Sequence, residues 1–135
     1  MVEETGLELA ALGGFPGPLV KWMLHAVGPE GVARTAIALG NPRATARCAV
    51  LFRDGEREVV GRGEDRGDLV LPPRGDHGFG WDPVFQREGS DETYAELGMQ
   101  AKDATGHRGR AWRDLVGRLV RTPQTNIVAE SPPGD

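Results

Sequence analysis

Cysteine is nearly absent from this chain. Cys48 is the one copy in 135 residues, which excludes an internal disulfide and a cysteine-built metal site and fits a reducing compartment. Lysine is almost as scarce: of 16 basic residues only Lys21 and Lys102 are lysines. No apolar run approaches the ~20 residues needed to cross a bilayer. The N-terminus also lacks the basic-then-apolar layout of a secretory signal, so no membrane partner is expected and the expected location is cytoplasmic. Positive charge is not in excess either. Sixteen Lys plus Arg against 20 Asp plus Glu give a net charge of −4, which argues against nucleic acid as the partner. Internal repeats, zinc-ligand spacing, a Ser-His-Asp order, a Walker-type loop and a G-x-G-x-x-G opening a βαβ unit are all missing.

What remains is an ordinary soluble composition, 39% hydrophobic and 27% charged, enough for one domain with a moderate core. Leu7, Leu9 and Leu12 alternating with Glu8 and small residues predict a short strand within Val2 to Leu12. Gly13 to Gly17 predicts a turn. Pro18 then opens a strongly apolar helix that Gly28-Pro29 stops, and a second helix runs from Glu30 to Leu39. Ala44, Ala46, Cys48, Val50 and Phe52 recur with a period of two, a strand. Asp54-Gly55 signals a hairpin, with Glu58 to Arg62 returning. Val84 and Phe85 read as another short strand. Ala111, Trp112, Leu115, Val116, Leu119 and Val120 form one stripe of a final helix from His107 to Arg121. After Arg121 periodicity is lost, which predicts a disordered tail over 122–135. The pattern is mixed α/β or α+β. His25 within its apolar helix and Cys48 within its strand read as structural.

Three segments carry candidate chemistry. In Arg74-Gly75-Asp76-His77-Gly78-Phe79-Gly80-Trp81-Asp82-Pro83, glycines permit close backbone approach, two aromatic rings offer stacking faces, and Asp82 is an acceptor for a ring N–H. A glycine-rich turn capping the core explains the same residues. Glu3 and Glu4, with Glu8, could hold Mg²⁺ beside a triphosphate or orient a water; solvated glutamates at a chain end are the commoner explanation. Lys102, His107 and Arg108 lie in or near the first turn of the final helix, where the helix dipole favours anions. Their side chains can donate to a keto oxygen, a phosphate or a base edge. A solvated basic helix end is the alternative.

Taken in order, these words resemble the inosine triphosphate pyrophosphatase (Ham1) family. The matching segments are Val2-Glu3-Glu4-Thr5-Gly6-Leu7, Ala11 through Pro18, Lys21-Trp22, Pro73-Arg74-Gly75, Phe79 through Phe85, Thr93-Tyr94-Ala95-Glu96, and Lys102 through His107-Arg108. The resemblance covers residues 1 to about 120. It implies a domain over 1–121, an elongated mixed sheet flanked by helices, a homodimer, and Mg²⁺-dependent hydrolysis of a purine nucleoside triphosphate such as ITP, dITP or XTP to monophosphate and pyrophosphate. Carried over, Phe79 stacks on the base, Gly80, Trp81 and Asp82 line its edge, and Lys102, His107 and Arg108 complete the pocket. Glu4 stands where the family has its catalytic aspartate and is the expected base and metal ligand, with Glu3 beside it.

The sequence departs from the family in two ways. It has no counterpart of the opening βα unit that carries a small-x-Asn-x-x-Lys phosphate motif, because neither Asn41 nor Asn126 has a lysine three residues on. The expectation is therefore an N-terminally shortened fold with an open sheet edge, paired in a tight homodimer. Glu4 also adds a methylene where the family has aspartate. Phosphate contacts are then expected from Arg43, Arg74 or a partner subunit. A purine-binding pseudoenzyme and a scaffold recruited for other chemistry are the alternative functions.

Overall fold

The computed structural model describes residues 1–76, 78–98, 101–102 and 106–121; His77 and the expected tail lie outside the described residues. Five strands form one sheet in the order β2-β1-β3-β4-β5, with β1 at Val2–Leu9, β2 at Pro16–Gly17, β3 at Arg43–Asp54, β4 at Arg57–Leu69 and β5 at Phe85–Arg87. Every described pairing is antiparallel. The mixed α/β expectation stands, with an antiparallel sheet where the resemblance implied a mixed one. β2 pairs only with Leu7 and Glu8. Val2 to Gly6 of β1 thus have no strand partner on that side among the described residues, although Gly6 packs against Gly17 and Pro18.

The two faces of the sheet are chemically opposite because successive side chains of a strand alternate. Leu7, Leu9, Ala44, Ala46, Cys48, Val50 and Leu69 project to one face and are buried. Helix α1 (Val20–Ala38) packs its Val20, Val32, Ala33 and Ala36 there. The last helix, α3 (His107–Arg121), adds Ala111 and Leu115 beside Cys48 and Val50. The other face carries Glu4, Glu8, Arg47, Arg62, Glu64 and Arg66 by the same register. Cross-strand pairs link Glu8 to Arg47 and Arg47 to Glu64, and Arg66 pairs with Glu64 within β4.

Several local expectations need correction. The helical segment Val20–Ala38 is interrupted at Gly28, whose φ of 72° is left-handed, so Gly28-Pro29 breaks it as expected. The expectation that it is strongly buried is corrected: Trp22 is 66% exposed and His25 lies on the surface. In α3, Val116 and Val120 face outward; the buried stripe is narrower because one sheet contacts only one side of the helix. β4 runs seven residues past the expected Arg62. Its Gly61, Gly63, Asp65 and Gly67 alternate with charged residues and give no hydrophobic period, so it was not visible as a strand.

Those glycines admit α3. A Cβ on Gly61 would stand 2.4 Å from Ala111 O, and one on Gly63 2.4 Å from both Ala111 N and His107 O. Such contacts are backbone to backbone and cannot be relieved by a rotamer change. The Gly63→Ala variant is therefore expected to lose about 1–3 kcal/mol or more of stability, read as a lower urea midpoint at unchanged m-value. A midpoint equal to wild type would show that α3 is not held this close to β4.

Candidate active site

The glycine-aromatic loop is organised around Asp82. Its Oδ2 accepts from the backbone N–H of Phe79 at 3.0 Å. It also takes the Lys102 ammonium at 2.5 Å. A Cβ on Gly78 would lie 2.1 Å from the same oxygen, so Gly78 makes room for a carboxylate of the protein itself. Asp82 and Lys102 are both buried, whereas Phe79 is 68% exposed. The Lys102 ammonium lies 4.9 Å from the centre of the Phe79 ring and 5.6 Å from that of Tyr94, within cation–π range. Phe79, Asp82 and Lys102 thus come together, with an aromatic face presented to solvent beside a buried ion pair.

His107 joins this cluster from α3. Its ring lies 5.9 Å from Trp81, and 5.8 Å from Tyr94 in a parallel arrangement. It is 3% exposed. Burial, then the charges of Lys102 and Arg108, push its pKa down to about 4, against a smaller opposing pull from Glu3. His107 is therefore neutral at pH 7. The indole Nε1 of Trp81 is buried with no hydrogen-bond partner among the described residues. Gly80 completes the loop at a left-handed φ of 64°.

Glu3 and Glu4 are adjacent in β1 and so cannot face one ligand. Glu3 points to the α3 side, where Arg108 holds it through Nε and Nη2, and this pairing keeps its carboxyl below the usual range. Glu3 also approaches Cys48 Sγ at 3.6 Å. Burial, then Glu3, push the Cys48 thiol up to about 12, too high for a nucleophile at neutral pH. Glu4 points to the charged face and lines a cavity of about 340 Å³ with Gly6, Glu8, Arg47, Ala49, Arg62 and Glu64. None of Phe79, Asp82, Lys102 and His107 lines that cavity. Glu4 makes no hydrogen bond or ion pair among the described residues, whereas Glu8 is tied to Arg47 at 2.8 Å. Arg62, directly across Ala49 from Glu4 in the register, has no ion-pair partner among the described residues. The other arginines expected to contact phosphates are engaged: Arg43 with Asp68 and Glu88, and Arg74 with Glu96, Gln86 and the carbonyl of Asp91.

Three residues of the cluster were not assigned to the site from the sequence, although Tyr94 lies in one of the matching segments. Tyr94 opens the short helix α2 (Tyr94–Leu97) behind a capping box of Thr93 and Glu96. The T-x-x-E spacing could have placed that helix. Asp65 and Arg87 contact each other and Tyr94 across strands, and nothing in their local sequence marks them.

An antiparallel sheet with helices packed on one face defines a mixed α/β protein, with an aromatic and cationic cluster where the last helix begins. The Ham1 family model matches residues 1–118, and the chain belongs to that family. It is 43% identical over 120 residues to a dITP/XTP pyrophosphatase of Pyrobaculum aerophilum, covering 89% of this chain and 64% of that protein. A dITP/XTP pyrophosphatase of Ignicoccus hospitalis is 37% identical, with 88% and 64% covered. Among solved structures, a HAM1 protein from Coxiella burnetii superposes with a TM-score of 0.79 at 28% identity, over 89% of this chain and 66% of that one. The chain thus spans 64% of the length of these curated relatives. No helix among the described residues is long and apolar enough to cross a membrane.

Two stability measurements test this geometry. Replacing Lys102 by alanine leaves the Asp82 carboxylate buried with only the Phe79 amide, an expected loss of about 3–5 kcal/mol seen in thermal or urea unfolding; a loss below 1 kcal/mol would mean that the pair is hydrated. The folded-state pKa of His107, near 4, lies below its ordinary 6.5. Between these values the unfolded chain binds more protons, so stability falls as pH drops from 6.5 toward 4. His107→Gln should flatten that part of the pH–stability curve, and an unchanged slope would assign it to other groups.

Proposed function

We propose that this chain carries the base-binding and water-activating parts of a nucleoside triphosphate pyrophosphatase that acts on 6-oxopurine nucleotides such as dITP and XTP. One observation carries the reading: Phe79 stands exposed over a buried Asp82–Lys102 pair at the start of α3. That arrangement suits a flat heterocycle, with an aromatic face to stack on and charged groups beneath its edge. Trp81, His107 and the Glu3-braced Arg108 wall the same region, and the curated relatives named dITP/XTP pyrophosphatases support the choice of substrate.

Glu4 is the proposed general base. It takes a proton from the water that attacks the α-phosphorus, the bond from phosphorus to the α,β-bridging oxygen breaks, and pyrophosphate leaves with that oxygen. Glu4, Glu8 and Glu64 line one cavity, but the described residues include no cluster of three metal-ligating side chains. Mg²⁺ commonly binds one or two carboxylates together with substrate phosphates and water, and a single free carboxylate fits that mode. Glu4 would hold the ion, whose chemistry is to neutralise charge on the phosphate oxygens. Arg62, unpaired and one strand beyond Ala49, is the cation best placed in the described chain for a phosphate oxygen.

The expected homodimer belongs to the same reading. Phe15, Leu19 and Trp22 are exposed within eight residues of one another, and the edge of β1 is open from Val2 to Gly6. Sedimentation at micromolar concentration is expected to give twice the monomer mass.

A second reading, a purine-binding protein without hydrolysis, draws on the engagement of Arg43 and Arg74 in internal pairs. Pyrophosphate release from dITP with Mg²⁺ separates the two. Glu4→Gln should lower kcat by about 100-fold or more, while Glu3→Gln, on the opposite face, should act mainly on KM by releasing Arg108. Wild-type protein that binds IMP as tightly as ITP and releases no pyrophosphate would favour the second reading.

A further inference from the structure

On the polar face of the sheet, Arg47 lies between two carboxylates. Its Nε pairs with Glu8 Oε2 at 2.8 Å and its Nη1 with Glu64 Oε1 at 3.0 Å. Arg66 Nε takes the second oxygen of Glu64 at 3.5 Å. Two arginines and two glutamates thus neutralise one another. Arg62 lines the same cavity as Glu8, Arg47 and Glu64, yet it has no ion pair among the described residues.

Strand geometry alone does not keep Arg62 from Glu64. Arg62 and Arg66 each stand two residues from Glu64 in β4, and so on the same face. The Arg66 contact shows that a pair at this spacing closes. The difference lies with Arg47, which stands directly opposite Glu64 in the register. It takes one carboxylate oxygen and Arg66 takes the other, so both are engaged before Arg62 is reached. The Arg62 backbone is itself fixed, because its N–H donates to Asp114 Oδ2 of α3 at 2.9 Å. Only its side chain is left to choose between Glu64 and a ligand. Without Arg47, one oxygen of Glu64 would be released beside an unpaired guanidinium, and a pair between them would neutralise the charge that a phosphate group needs.

We infer that Arg47 is a positioning residue: by holding Glu64 it keeps Arg62 unpaired and open to a phosphate group of the ligand. The inference rests on the proposed phosphate role of Arg62 and names the residue that maintains it. Arg47 touches no ligand in this scheme; it acts through Glu64. The pairs are open to solvent, so the effect is modest and weakens as salt is added.

Inorganic tripolyphosphate is the probe, titrated calorimetrically into full-length protein at low ionic strength without divalent cations, so that neither the base site nor a metal enters the measurement. Arg62→Gln is expected to weaken binding most, and Arg47→Gln to weaken it about fivefold. Glu64→Gln should change the wild-type affinity by less than about twofold, yet recover most of the loss in the Arg47→Gln background, a coupling that independent charges do not show. With Arg62 already replaced, Arg47→Gln should change the affinity by less than about twofold. An equal gain from Glu64→Gln in both backgrounds would reduce the effect to net charge and overturn the inference. No recovery would overturn it too, by making Arg47 itself the phosphate ligand. Wild-type protein that does not bind tripolyphosphate, or Arg62→Gln that binds it as wild type does, overturns it as well. The coupling without pyrophosphate release from dITP and Mg²⁺ supports the positioning role and removes the proposed function, so the two failures are distinguishable.

Discussion

The Asp82–Lys102 ion pair is the contact on which the candidate site depends. Neither ion is solvated, so each needs the other, and removing one strands a charge where Coulomb interactions are strong. Their meeting pins the glycine-aromatic loop to the segment that leads into α3. Asp82 also accepts the Phe79 amide, so the same carboxylate fixes the backbone that presents the exposed ring. Buried ion pairs are weak evidence of stabilisation, because an apolar replacement of equal shape often does as well. The use of this one is positional: it sets a cation within 4.9 Å of an aromatic face.

Strand periodicity sorts the acidic residues. Glu3 and Glu4 read in the sequence as a pair, and in the strand they are a sheet thickness apart. Glu3 falls on the helix side, where Arg108 neutralises it and is in turn immobilised. Glu4 falls on the polar side, where Glu8 and Glu64 are already matched to Arg47 and one carboxylate is left over. A run of two acids at this position yields a bracing residue and an unpaired carboxylate among the described residues, and the pleat alone makes the distinction.

Much of this was legible before any coordinates. The bounds of α3 follow from its apolar stripe, the break at Gly28-Pro29 from backbone chemistry, and the strand through Cys48 from its period of two. The assembly of Phe79, Asp82 and Lys102 was legible through rare words in order, although Gly78 serves Asp82 where a ligand seemed the reason. What stayed hidden was non-local. Asp65 occupies a core-side position of β4 only because Arg87 and Tyr94, 22 and 29 residues away, satisfy it there, and no local pattern encodes a partner at that separation. The outward turn of Val116 and Val120 was hidden for the same reason, since a helix stripe gives the direction of the core but not the width of the surface it meets.

The aromatic–cationic cluster and Glu4 lie on opposite faces of the sheet, and on the proposed function one ligand has to reach both. The cluster of Phe79, Asp82, Lys102 and His107 sits at the start of α3, on the face that buries Leu7 and Cys48. Glu4 sits above the other face. Between them runs β1, whose residues from Val2 to Gly6 have no strand partner on the β2 side among the described residues. On the proposed function, a nucleotide with its base against Phe79 and its α-phosphate near Glu4 would pass around that edge, since it cannot pass through the sheet. Along the edge, backbone N–H groups not used by β3 point outward, and such groups are obligatory hydrogen-bond donors well suited to phosphate oxygens. On the proposed function, the open edge of β1 is the route between the two faces, so whatever covers that edge in the assembled protein also shapes the path of the triphosphate.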